Sequence, residues 1–115
     1  VETKEAEFKL FKSEFLKWAE AFGCRDWEVQ FLHEGEEDLD AAIHPNVEGR
    51  AVIVELNKDV SRGGTQGIKL LAFHEAAELF LVSLRDIAQN RSFSQKSLNT
   101  EVHKVINVLE RLLFA

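Results

Sequence analysis

The segment Gly67–Ala88, GIKLLAFHEAAELFLVSLRDIA, decides how the rest of the chain is read. No proline interrupts it. Apolar side chains recur at Leu70, Phe73, Ala77, Leu81, Leu84 and Ala88, a spacing that predicts one long helix with this stripe turned to the core. Within it lies His74-Glu75-Ala76-Ala77-Glu78. His74 and Glu78 are four residues apart and project from one side of a helix, one turn from each other. An imidazole and a carboxylate so placed can grip one metal ion. Glu75 sits about 100° further round, where it can lean over a metal-bound water without ligating the metal. A solvated polar stripe is the plainer reading, and two features count against it. Neither Glu75 nor Glu78 has a Lys or Arg three or four residues away to pair with. Residues 70 to 84 are otherwise almost wholly apolar, and buried carboxylates are costly without a metal, a cation or protons.

Outward from this helix, the elements follow from periodicity. Residues 3 to 22 predict a first helix, with Phe8, Phe11, Phe15, Trp18 and Phe22 as an aromatic core stripe and Gly23 as its stop. Trp27 to His33 alternates apolar and polar residues, as a half-buried strand does. Glu34 to Asp38 is an acidic turn without the alternating Asp/Asn pattern of a calcium loop. Leu39 to His44 predicts a second strand, Pro45 to Gly49 a turn, and Arg50 to Leu56 the strongest strand in the chain. Asn57 to Gln66 is a polar loop whose Gly63-Gly64 lacks P-loop spacing and predicts a flexible bend at the rim of a cleft. Gln89 to Lys96 predicts a polar loop. A last helix follows, capped by Asn99 or Thr100 and running to about Leu113, with Val102, Val105, Ile106, Leu109 and Leu112 as its stripe. The expectation is one α+β domain over residues 1 to 115: N-terminal helix, small three-stranded sheet, central motif-bearing helix and C-terminal helix.

Composition narrows the function. The 115 residues hold 14 basic and 20 acidic side chains, a formal charge of -6. No Lys/Arg cluster stands out, so a general nucleic-acid binder is not expected. Cys24 is the sole cysteine, which leaves no intramolecular disulfide. No apolar run reaches membrane-span length and the amino end is charged, so a cytoplasmic protein without a membrane partner is expected.

A zinc ion on His74 and Glu78 needs a third protein ligand and an open position for water. His103 is the first choice, because the last helix is expected to pack antiparallel to the central one. Glu101 is the runner-up, and His33 and His44 remain candidates. Asn99, Asn107 and Glu110 share the His103 side of the helix, so a solvent face also accounts for that histidine. In the metal reading, zinc lowers the pKa of its water, and Glu75 takes the proton and later passes it to the leaving amine. The strand Arg50–Leu56 then offers backbone groups to an extended peptide, with Arg50 a candidate for the oxyanion.

A helix, a small sheet, and then a helix carrying His-Glu-x-x-His is the plan of the minimal zinc metallopeptidases, the zincins. The chain resembles that group, and within it small phage-type and prophage-type metallopeptidases. The similar stretches are Trp27-Glu-Val-Gln-Phe, Ala51-Val-Ile-Val-Glu-Leu-Asn, Phe73-His-Glu-Ala-Ala-Glu-Leu and Glu101-Val-His-Lys-Val-Ile. The resemblance implies His74 as a ligand, Glu75 as the general base, and a peptide or protein substrate. The chain departs from the pattern at Glu78, where the group carries its second histidine, and a carboxylate there makes a weaker Lewis acid of the metal. Alternatives are a non-catalytic metal-binding or phage/host interaction module on the same fold, or an acidic adaptor with an accidental motif. A di-iron carboxylate protein is disfavoured, since the chain holds no Glu-x-x-His.

Overall fold

The aromatic stripe of the first helix does what its spacing predicts. The structure, a computed structural model, describes residues 1–34, 38–90 and 94–114. In it α1 spans Glu5–Ala21 and buries Phe11 and Phe15 completely. Its amino end is held by Glu7, whose carboxylate accepts the Lys4 N–H at 2.9 Å. Its carboxyl end turns on Gly23, at φ +82. There the Gly23 N–H donates to the Glu20 carbonyl (3.0 Å) and the Cys24 N–H to the Ala19 carbonyl (2.8 Å), the paired bonds of a Schellman stop that a residue without Cβ closes at least cost.

The sheet is mixed. β1 (Glu28–His33) runs parallel to β3 (Ala51–Leu56), and β2 (Ala41–Asn46) runs antiparallel to it, giving the order β1-β3-β2. Val52, Val54 and Leu56 of β3 point to the core and are almost fully buried, while Ile53 between them faces outward. The register continues this division: Phe31 and Ile43 flank Val54 on the inner face, and Gln30 and His44 flank Ile53 on the outer. β2 extends two residues beyond the expected His44, through Pro45 and Asn46. Pro45 is tolerated because β2 is an edge strand, where a missing N–H removes no necessary ladder bond. The turn therefore falls at residues 47–50, where Arg50 takes φ 51.

The central helix is not one piece. α2 runs Gly64–Phe80, Leu81 leaves helical geometry at φ -93, ψ 2, and α3 resumes over Val82–Gln89. α2 starts earlier than expected, on Gly64 at φ +77. Its buried face is also not the expected stripe. Ile68, Ala72, Glu75, Ala76 and Leu79 face inward, whereas Leu70, Phe73 and Leu81 are 49%, 40% and 40% exposed. The small Ala72 and Ala76 lie on α2, which packs closely on α1 beneath the sheet. The last helix, α4, spans Gln95–Phe114. Its cap is Ser94 rather than Asn99 or Thr100: the Ser94 hydroxyl accepts the Ser97 N–H at 3.1 Å. α4 packs on α3. The core of the expected acidic turn (35–37) and of the expected polar loop (91–93) lies outside the described residues. The architecture is thus α+β, with four helices and one three-stranded sheet among the described residues. Among these residues no helix is long and apolar enough to cross a membrane.

Candidate metal centre

The inward face of α2 carries one charged residue, Glu75, and it stands one position from His74. Glu75 is only 3% exposed. Its neighbours on the same helix, His74 and Glu78, are exposed and half-buried. The His74 Nε2 lies 3.7 Å from the Glu78 Oε2. One donor atom from each of the three residues can be chosen so that all lie within 4.8 Å of one another, the one such group of metal-ligating side chains among the described residues.

The electrostatics of this group are unfavourable as it stands. Glu75 Oε2 is buried and has no hydrogen-bond partner. Burial pushes the Glu75 carboxyl up from its ordinary 4.5 to about 8, and the adjoining Glu78 carboxylate adds to this by accepting its proton in a hydrogen bond and by repelling a second negative charge. Both glutamates also lie toward the carboxyl end of α2, where the helix dipole is negative and the last turn carries no basic residue. A divalent cation relieves all three penalties at once. The donor set, one imidazole and two carboxylates, suits zinc, manganese or iron. The orphaned oxygen and the close donors therefore fit a bound metal.

The group opens on a cleft of about 790 Å³ between α2 and β2, whose outer edge pairs with no strand among the described residues. Ala41, Ala42 and Ile43 form the strand side, and Leu70, Phe73 and His74 the helix side. Phe73 is braced by an edge-to-face contact with Trp18, ring centres 5.0 Å apart. Asp40 fixes the rim by accepting both the backbone N–H and the hydroxyl of Ser61, which ties the entry of β2 to the lead-in of α2.

The other expected participants lie elsewhere. His103 stands outside the His74–Glu75–Glu78 group and away from this cleft, on an exposed face of α4 with Asn99 and Asn107. Its ring Nδ1 is 2.8 Å from the Asn99 carbonyl, one turn back. The reason is the break at Leu81, after which α4 packs on α3 instead of beside α2. Glu101 is paired with Lys104 at 3.1 Å. His44 pairs with Glu55 at 3.2 Å, and His33 donates to Thr3 Oγ1 at 2.7 Å while stacking on Phe8. Arg50 lies over the Trp27 ring and binds Asp26, away from the cleft. The strand expected to receive a peptide, β3, has neighbours on both sides and can accept none; the outer edge on the cleft belongs to β2. That edge was not legible in sequence, because strand order is not encoded in the alternation of any one strand.

No protein-family model, no curated protein and no solved structure matches this chain.

Proposed function

We propose that this chain is a metal-dependent hydrolase of peptide bonds, with zinc held by His74 and Glu78 and with Glu75 as the general base; with His103 elsewhere, the expected third ligand is not supplied by any described residue other than Glu75, and the remaining positions on the metal fall to water and substrate. The observation that carries the reading is the buried, unpartnered Oε2 of Glu75 beside an imidazole and a second carboxylate, on the wall of a cleft. Zinc bound there supplies a Lewis acid that lowers the pKa of a water toward neutrality. Glu75 is suited to take that proton: a base near neutral pH both accepts and returns a proton readily. The same carboxyl then delivers it to the leaving amine. The outer edge of β2 gives an extended peptide backbone N–H and C=O groups to pair with, and Leu70 and Phe73 face its side chains with apolar surface.

A second reading is favoured by the donor set itself. All three side chains are close enough to share one ion. If Glu75 ligates it, two carboxylates neutralise the cation, no base is left over, and the site holds metal without hydrolysis. The two readings part at Glu75→Gln. Turnover of a mixed fluorogenic peptide library, measured with zinc and again with chelator, should be present in the zinc-loaded wild type and lost in a Glu75→Gln variant that still binds zinc. Zinc lost from Glu75→Gln, with no turnover in the loaded wild type, selects the second reading.

A further inference from the structure

The described arginines fall into two sets. Arg25 pairs with Glu20 and Arg50 with Asp26, and Arg111 donates to the Ala21 carbonyl. The side chains of Arg62 and Arg85 have no ion pair and no hydrogen bond among the described residues. Both line the cleft of the metal group. A shortage of acids is not the cause, since the chain holds 20 acidic side chains against 14 basic ones. Two bare guanidinium groups in one cleft of an acidic chain are cations presented to whatever enters it.

Their surroundings differ. Arg62 follows Ser61, which is held by the Asp40 carboxylate, and Asp38 lines the same cleft. An incoming anion is repelled there. Arg85 shares a wall with His74 and Glu78. The three are four and seven residues apart, which sets them on one helix face. The break at Leu81 does not take Arg85 off that wall: its N–H donates to the Leu81 carbonyl at 3.0 Å, and it lines the cleft with Glu78. The carboxylates of this wall are Glu75 and Glu78, whose charge a bound cation offsets. A guanidinium offers a planar fork of N–H donors that matches a carboxylate in two parallel bonds. We propose that Arg85 determines specificity, binding a carboxylate of an extended peptide laid along β2. The inference rests on the proposed reading of the cleft as a peptide site, and not on hydrolysis. Seven residues of helix advance about 10 Å, which is about three residues of extended chain. The selected carboxylate therefore lies within about three residues of the peptide bond that faces Glu78. It comes from an Asp or Glu side chain or from the carboxyl end of the peptide.

The test is fluorescence anisotropy of labelled Ala/Val heptapeptides, amidated at the carboxyl end, that carry one Glu at each position in turn. Controls carry Gln at the same position, and a further arm carries no Glu but a free carboxyl end. Binding is read in chelator-treated protein, where zinc-dependent cleavage is absent, and again with zinc. At one position the Glu peptide should bind about tenfold more tightly than its Gln control, the worth of one charge-assisted hydrogen bond. A preference confined to the free-carboxyl arm supports the proposal with the terminal group as the ligand. Arg85→Gln should abolish the preference, and Arg85→Glu should turn it toward a Lys peptide, with an unchanged circular dichroism spectrum. Arg85 is exposed, so neither substitution disturbs the core. Equal binding of acidic and neutral peptides overturns the proposal, as does the absence of any peptide binding. So does a preference that survives Arg85→Gln or that Arg62→Gln alone removes. An Arg85-dependent acid preference in a chain that holds no zinc leaves this inference standing and rejects the hydrolase. Zinc-dependent turnover without acid preference does the reverse.

Discussion

Replacing Glu75 by Gln keeps the buried shape and removes the ability to ionise. In the metal-free protein folding carries the Glu75 carboxyl from its ordinary 4.5 to about 8. At about 1.4 kcal/mol per unit, the ceiling on the linked stability is about 5 kcal/mol. The sign follows from proton binding. Between these two values the folded protein holds a proton that the unfolded chain has released. The stabilisation is therefore full below pH 4.5, declines as pH rises, and is gone above about pH 8. The amide in Glu75→Gln has no such dependence. Urea unfolding of chelator-treated wild type and Glu75→Gln, compared at about pH 5 and pH 8, reads the difference. The wild type should lose up to about 4 kcal/mol relative to the variant over that interval. Saturating zinc should offset the loss in the wild type at the upper pH, because a bound ion stabilises ionised carboxylates. Unfolding curves that keep a constant separation across pH would refute the burial of an ionisable Glu75.

Three further outcomes are expected. Phe15→Ala empties a fully buried site edge-to-face with Phe31 and should cost about 3–5 kcal/mol in the same urea assay. The Cys24 thiol, pushed up to about 11 by burial and by the nearby Asp26 charge, should react with a thiol reagent at neutral pH up to about 100-fold more slowly than an unperturbed thiol; the rate should climb about tenfold per pH unit. Ser94→Ala removes the cap of α4 and should cost about 1 kcal/mol, read as fraying of that helix by amide hydrogen exchange.

The parts of the fold that the sequence made legible are those where one face is wet and the other dry. Phe11 and Phe15 stand in a helix whose other side is Lys and Glu, and Val29 and Phe31 alternate with Glu28 and Gln30, so the period assigns the face. α2 gives no such contrast. It is apolar nearly all round, so helical spacing fits the stripe through Leu70, Phe73, Ala77 and Leu81 as well as the Ala72 and Ala76 face that packs on α1. The spacing of His74, Glu75 and Glu78 within one helix was legible because helix geometry alone sets it. The placement of His103 was not. It depends on the break at Leu81 and on packing between α3 and α4, both tertiary effects with no glycine or proline to announce them.

The central claim is that His74 and Glu78 hold a divalent ion, and metal content tests it most directly. The measurement is zinc per chain by elemental analysis after equilibration with free zinc, for wild type, His74→Ala, Glu78→Ala and His103→Ala. The expected result is close to one zinc per chain in the wild type, loss in His74→Ala and in Glu78→Ala, and no change in His103→Ala. Zinc absent from the wild type, or retained in both His74→Ala and Glu78→Ala, would contradict it.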